Sequence, residues 1–136
     1  EEFPDFVFNH NEAILYEWVK ENEPELFARI QQKVKEGKWH IMGGWYLQPD
    51  CNMPNGESII RNISEGHRFF EKEFGVRPTT AINFDSFGHS VGLVQILNQA
   101  GYLCGLPSGE GTVSVQGTGL SVERSGRIGG LGASFR

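Results

Sequence analysis

The sequence predicts an α/β fold in which parallel strands are joined by helical crossovers. Short apolar runs rich in strand-forming residues alternate with longer segments whose apolar residues recur every three or four positions. Glycine or proline separates most of these segments, as expected at turns. Strands that alternate with helices in this way pair in parallel, because each helix returns the chain to the same end of the sheet.

The first strand and two helices are predicted before Gly37. Phe6-Val7-Phe8 is a short apolar run, and the segment after it places Ile14, Leu15, Trp18 and Val19 on one helical face. Pro24 can open a second helix, whose apolar positions repeat at three and four. Gly37, which follows the basic Lys35, is a plausible stop for that helix. The order is therefore strand, helix, helix.

Two further strand and helix pairs are predicted up to Gly101. Trp39, Ile41 and Met42 form the second strand, and a loop rich in glycine, proline and aspartate follows. Asn55-Gly56 prepares a helix that Gly75 closes, with Ile59, Ile63, Phe70 and Phe74 on one side. Residues 79–84 form the third strand, and the next helix ends at Gly101. Tyr102-Leu103-Cys104 would begin a fourth strand.

The composition changes after Cys104. Half of the 18 glycines lie beyond this residue, in a segment with few large apolar side chains to bury. We therefore expect two parts: residues 1–104, which fold, and a Gly-rich tail over residues 105–136, which is flexible or foreign to the fold. A shifted reading frame would produce such a tail.

Charge and length exclude several classes of partner. A net charge of -5 and a pI near 5.3 give no basic surface for nucleic acid or for an anionic membrane. No apolar run approaches the roughly 20 residues that span a bilayer, so we expect a soluble chain. The first residue is Glu1, which indicates a processed chain or a fragment. Cys51 and Cys104 lack paired metal-ligand spacing and are interpreted as free thiols.

Asp85 is the main candidate for chemistry. It stands where the third strand ends and a glycine-containing turn begins, which is where α/β enzymes keep their functional residues. An aspartate at such a junction is also often a helix cap, and without the surrounding motif that simpler interpretation is favoured.

Trp45 and Asp50 are candidates for contacting a sugar. Sugar sites use aromatic rings against apolar C–H surfaces and carboxylates against hydroxyl groups, and both residues lie in or beside the loop after the second strand. The alternative for Trp45 is packing in the core, and the sequence weighs the two about equally. His10, His40 and His67 lack spaced partners and are most simply surface or strand-edge residues.

Three motifs together carry a family resemblance. Asn83-Phe84-Asp85-Ser86-Phe87-Gly88-His89-Ser90, the run Gly43-Gly44-Trp45-Tyr46-Leu47-Gln48-Pro49-Asp50, and Gly56-Glu57-Ser58 resemble the amino-terminal catalytic domain of glycoside hydrolase family 38. These enzymes are the retaining α-mannosidases, and the resemblance spans about residues 6 to 103. It implies a partial (β/α)7 barrel of the glycoside hydrolase/deacetylase type, and it strengthens the sugar-binding interpretation of Trp45 and Asp50.

The resemblance also implies site roles. The matching aspartate, Asp85, would be both the nucleophile and a zinc ligand, and Ser86 is an acceptable variation of the motif. His89 would orient the loop rather than bind metal, with Ser90 as the helix cap. The remaining zinc ligands and the general acid have no counterpart in this chain.

The implied function is hydrolysis of α-mannosidic bonds in a mannose-containing glycan, by a zinc-assisted double displacement. Two alternatives stay open. The chain could be a catalytically incomplete remnant with weak carbohydrate binding, or part of a metal-dependent carbohydrate deacetylase, which also places an aspartate at a strand end. The deacetylase fits less well, because its metal sites add histidines at helical spacing.

Overall fold

The computed structural model describes residue 3, residues 5–84 and residues 88–103, together with the backbone of residues 107–108, 111–116 and 119–123. The amino-terminal part contains β1 (Phe8–Glu12), α1 (Ala13–Asn22), α2 (Pro24–Lys35), β2 (Trp39–Trp45), α3 (Gly56–Phe74) and α4 (Val91–Gln99). Three short strands follow: β3 (Pro107–Ser108), β4 (Gly111–Gln116) and β5 (Gly119–Glu123).

The predicted partial barrel of the glycoside hydrolase/deacetylase type is wrong for the described chain. Its parallel sheet has two strands, β1 and β2, with Phe8 opposite Trp39 and a register shift between His10 and Glu12. Four helices accompany this sheet. The predicted parallel pairing is thus correct for two strands, but no barrel is formed by the described residues.

The predicted third strand, residues 79–84, is reduced to an isolated bridge at Thr80. The Thr80 carbonyl accepts a hydrogen bond from the Gly43 amide at 2.8 Å, so the segment does run beside β2. It does not continue as a ladder, because the backbone amide and carbonyl of Phe84 both bond to the Gln48 side chain instead. The predicted fourth strand is also absent at Tyr102 and Leu103, although Leu103 donates to the Thr79 carbonyl at 2.7 Å.

The predicted helices are confirmed, and local signals explain their ends. Pro24 stands in the first turn of α2. The Asn55 side chain accepts from the Ser58 amide at 2.9 Å and so caps the start of α3. Gly75 ends α3 with φ 68°, a left-handed conformation that glycine adopts without steric cost.

Two apolar cores share α3, the first along its amino-terminal half and the second near its carboxyl-terminal end. The first core joins β2, the following loop, α3, α4 and the segment around Ala81; its buried members are Trp45, Cys51, Ile59, Ile63, Ala81, Leu93, Leu97 and Tyr102. The second core packs α1 and α2 against β2 and α3; its buried members are Ala13, Tyr16, Phe27, Ile30, Ile41, Phe69 and Phe70. The first core therefore supports the region that leads to Asp85.

Three short strands are described within the Gly-rich tail. Strand β4 pairs antiparallel with both β3 and β5, and Val113 lies opposite Val122. Alternating valines and serines give β4 and β5 the composition of strands, which the glycine content had obscured. The boundary at residue 104 and the flexible or foreign character of the tail stay predictions. In the part of the chain that the structure describes, no helix combines the length and apolar character needed to cross a membrane.

Candidate functional site

The candidate site lies around the segment that leads to Asp85. Asp85 itself, with Ser86 and Phe87, falls outside the described residues. The residues before it, 81–84, are described, and so is the loop after β2 that packs against them. The structure therefore shows how the approach to Asp85 is held.

The Gln48 side chain bonds to both backbone groups of Phe84. Its Nε2 donates to the Phe84 carbonyl at 2.6 Å, and its Oε1 accepts from the Phe84 amide at 2.9 Å. The Gln48 backbone amide in turn donates to Glu12 Oε1 at 3.3 Å. Gln48 thus connects the end of β1 with the residue directly before Asp85.

Asn83 is fixed by the same loop. Its side chain is 1% exposed, and its Nδ2 donates to the Pro49 carbonyl at 2.9 Å and to Cys51 Sγ at 2.7 Å. Burial raises the pKa of the Cys51 thiol, with the nearby Asp50 charge acting in the same direction and the Asn83 hydrogen bond opposing it. Cys51 is a free cysteine, as predicted, and it serves here as a buried packing group.

Trp45 lies in the first core and not on an accessible surface. Its side chain is 0% exposed, and its Nε1 donates to the Ile82 carbonyl at 2.6 Å. Tyr102 packs beside it, with ring centroids 6.3 Å apart. This burial supports the packing interpretation of Trp45, because no ring face is open to a sugar.

Asp50 is exposed in the loop after β2. Its Oδ1 accepts from the backbone amides of Asn52 and Met53 at 2.8 and 3.2 Å, an arrangement typical of a turn stabilised by an aspartate. The carboxylate therefore shapes the loop and remains accessible for a hydroxyl contact.

His89 and Ser90 lie directly before α4. His89 Nε2 is buried without a hydrogen-bond partner among the described residues, and burial lowers the pKa of this histidine. The loop-orienting role predicted for His89 stays a prediction, since residues 85–87 lie outside the described ranges. Ser90 does precede α4 at the N-cap position, but its side chain makes no capping hydrogen bond there.

Sequence reasoning missed a buried network beneath this site. The Tyr102 hydroxyl donates to the Gly43 carbonyl at 2.8 Å and lies 3.0 Å from His67 Nε2. His67 is 4% exposed, so its interpretation as a surface residue is wrong, and burial lowers its pKa. Gly43 and Gly44 have φ 77° and 71°, which glycine alone adopts readily. The Gly43-Gly44 pair is the feature of the sequence that indicates this sharp turn of the backbone.

Among the described residues, no group of three or more His, Cys, Asp or Glu side chains could hold a metal ion. The zinc expected from the resemblance would need Asp85, which is outside the described residues, and further ligands. The described residues alone do not fit a zinc site, which ordinarily takes three or four protein ligands.

Comparison with known proteins decides the family. Residues 1–104 match the model of the glycosyl hydrolases family 38 N-terminal domain. The chain belongs to glycosyl hydrolase family 38. Among its relatives are Alpha-mannosidase G of Dictyostelium discoideum, 44% identical over 99 residues, and Alpha-mannosidase 2C1 of Homo sapiens, 37% identical over 98 residues. These matches cover 73% and 72% of this family 38 chain.

The family 38 chain spans about a tenth of the length of these relatives, since each match covers 9% of the longer protein. A solved structure with a similar fold is a 4-alpha-glucanotransferase from Thermococcus litoralis. It superimposes with a TM-score of 0.62 over 74% of this chain and 16% of that one. Its sequence identity of 22% supports a likeness of fold alone. This fold neighbour is a glucanotransferase and does not support the predicted deacetylase-type barrel.

Proposed function

We propose that this family 38 chain is part of a retaining α-mannosidase that hydrolyses α-mannosidic bonds in mannose-containing glycans. The observation that carries the proposal is the family match over residues 1–104, together with relatives that are named alpha-mannosidases. The Asp85 motif supports the retaining mechanism, because a carboxylate at this position suits covalent attack on a sugar.

In the proposed reaction an Asp85 carboxylate oxygen attacks the anomeric carbon of mannose while the glycosidic C–O bond breaks. A carboxylic acid from the rest of the parent protein gives its proton to the leaving oxygen. The same group then removes a proton from water, which attacks the anomeric carbon and displaces Asp85. Mannose leaves with its configuration retained, because the anomeric carbon is inverted twice.

Asp50 is the proposed contact for a sugar hydroxyl, since its carboxylate is exposed in the loop that packs against residues 83 and 84. Trp45 is not included among the sugar contacts, because the core encloses its ring. We also propose zinc as a cofactor of the parent protein, on the family resemblance. It would supply Lewis-acid contact to sugar hydroxyls.

The deciding experiment traps the glycosyl-enzyme intermediate. The complete polypeptide that contains this segment would be treated with a mechanism-based 2-fluoromannoside and digested, and the labelled residue would be identified by mass spectrometry. We expect the label on Asp85. Asp85→Ala should lower kcat by roughly 10⁴-fold or more, as removal of a nucleophile does elsewhere.

Asp5 provides a matched control, because it is an exposed aspartate away from the motif. Asp5→Ala should leave activity within about twofold of the parent, as for an ordinary surface substitution of under 0.5 kcal/mol. A label on any other side chain, or full activity in Asp85→Ala, would refute the assignment.

The comparisons support neither alternative function. The relatives are named alpha-mannosidases, so a deacetylase is not proposed. The isolated chain is nevertheless expected to be inactive, because the general acid and the remaining zinc ligands would come from elsewhere in the parent. A calorimetric zinc titration tests this incompleteness. Tight binding of one zinc ion to the isolated chain would show that it holds a complete metal site and would contradict the expectation.

A further inference from the structure

We propose that Gln48 is a positioning residue that fixes the backbone directly before Asp85. The inference rests on the proposed function, in which the Asp85 carboxylate attacks the sugar. Gln48 and Asn83 both contact neighbouring loop and backbone groups within the described residues.

The Gln48 carboxamide acts as a replacement strand at Phe84. A neighbouring strand would offer one donor and one acceptor to the backbone of a residue, and Gln48 offers both from one side chain. Its Nε2 lies 2.6 Å from the Phe84 carbonyl and its Oε1 lies 2.9 Å from the Phe84 amide. The Phe84 carbonyl belongs to the peptide unit that also contains the Asp85 nitrogen. Fixing this carbonyl therefore restricts the position of that nitrogen.

The Phe84 side chain contributes little to this restraint. It is 59% exposed, so apolar burial does not hold the residue in place. Its backbone is held by two hydrogen bonds to Gln48. A charged or shorter side chain at position 48 would remove one or both of them.

Gln48 is itself anchored at the end of β1. Its backbone amide donates to Glu12 Oε1 at 3.3 Å, and Asn11 Nδ2 lies 3.4 Å from its Oε1. The Oε1 therefore has two neighbouring donors, matching its two lone pairs. An anchored carboxamide loses less side-chain freedom when it binds Phe84 than a mobile one would.

Asn83 adds a second restraint from the same loop. Its Nδ2 bonds to the Pro49 carbonyl and to Cys51 Sγ. Two consecutive residues before Asp85 are thus held by loop residues 48–51. A reacting group must be held in a well-defined position, since a misplacement of about 1 Å can lower the rate on the order of 100-fold.

The first test measures the restraint in the 136-residue chain by NMR hydrogen exchange. In Gln48→Ala the Phe84 amide should exchange roughly three- to tenfold faster, the effect of one lost hydrogen bond. Gln95→Ala, which changes an exposed glutamine on α4, should not alter it. The Gly43 amide, bonded to Thr80, reports on the fold in both variants. Unchanged Phe84 exchange in a folded Gln48→Ala chain would overturn the proposal.

Gln48→Glu provides a pH-dependent version of the test. A carboxylate can still accept from the Phe84 amide, but it faces the Phe84 carbonyl without a proton to donate. Protonation restores the donor, so Phe84 protection relative to Gly43 should increase as the pH falls. No such increase is expected in Gln48→Ala. An identical pH response in both variants would contradict the two-bond geometry.

A measurement on the unmodified chain covers the case in which the variants fail to fold. One Nε2 proton of Gln48 should exchange more slowly than those of the exposed Gln95. Equal exchange of the two side-chain amides would overturn the proposal without any substitution.

The second test measures kinetics in the complete polypeptide. Gln48→Ala should lower kcat by roughly 10- to 100-fold with little change in KM, because it disturbs the approach of the nucleophile and not the sugar contacts. A purely structural role would lower the amount of folded enzyme and leave the kcat of the folded fraction unchanged, which would overturn the positioning role.

The two proposals fail in different ways. Loss of Phe84 protection in Gln48→Ala, with the fluorosugar on another residue, would refute Asp85 as nucleophile while the Gln48 restraint stands. A labelled Asp85 with unchanged Phe84 exchange would refute the restraint alone.

Discussion

Gly66 offers a test of how closely α3 approaches the corner of β2. A Cβ atom built at this position would contact the Gly44 carbonyl oxygen, and it would lie 2.6 Å from both the Trp45 carbonyl carbon and the Tyr46 nitrogen. All three are backbone atoms, so no side-chain rotation can relieve the overlap. Gly66→Ala therefore requires α3 and the end of β2 to separate.

The expected cost follows from two opposing effects. Alanine in a helix interior is favoured over glycine by about 1 kcal/mol. Overpacking of a core typically costs 1–3 kcal/mol, and contact with rigid backbone places Gly66→Ala near the upper end, at about 3 kcal/mol. The difference is a net loss of about 2 kcal/mol in the free energy of unfolding. This is a large fraction of the roughly 5–15 kcal/mol that stabilises a typical domain.

Gly92→Ala is the matched control, because no atom lies within 4 Å of a Cβ built at Gly92 in α4. It should be neutral or stabilise by up to about 1 kcal/mol. Urea unfolding followed by far-ultraviolet circular dichroism would compare the two. With a slope of about 2 kcal/mol per molar urea, the Gly66→Ala midpoint should fall by about 1 M. A midpoint for Gly66→Ala equal to or above that of Gly92→Ala would refute the close contact.

Three further predictions concern buried polar groups. Tyr102→Phe leaves His67 and the Gly43 carbonyl without their common partner and should cost about 1–3 kcal/mol in urea unfolding; a cost near zero would contradict the network. Burial lowers the pKa of His67 below its ordinary 6.5, so the folded state binds fewer protons than the unfolded state, and stability should fall as the pH decreases below about 6.5. Stability that rises on acidification would oppose this. In a Cys104→Ser variant, Cys51 is 1% exposed and should react with a thiol reagent much more slowly than after unfolding; equal rates would disprove its burial.

Local signals predicted the helices because their causes lie close in sequence. Helix α3 begins after Asn55 and ends before Gly75, and both residues act through their own side chain or backbone conformation. The surface assignment of His67 failed because its burial depends on Tyr102, 35 positions away. Gly66 interrupts a strong helical pattern, which is a recognisable sign of close packing, but its partner on β2 was not deducible from spacing.

The predicted third strand shows why a strand-forming composition alone did not predict the sheet. Residues 79–84 have strand-forming composition, and one bond from Gly43 to Thr80 places them beside β2. Propensity cannot reveal that a glutamine side chain takes the backbone groups of Phe84, since that depends on the course of the loop after β2. The motif located Asp85 by resemblance, whereas the restraints on its approach became visible only in the structure.

The position of the first core explains how so short a segment of family 38 can hold the approach to Asp85. Its buried side chains come from β2, the loop after it, α3, α4 and Tyr102, and they pack with Ala81, three residues before Phe84. The restraints on Asn83 and Phe84 are made by the same loop. The proposed restraint on the residues before Asp85 therefore depends on contacts within this segment. Protonation of the leaving group does not depend on this segment, because the proposed acid belongs to the remainder of the parent protein. The segment would therefore position the nucleophile, whereas catalysis would need the whole protein.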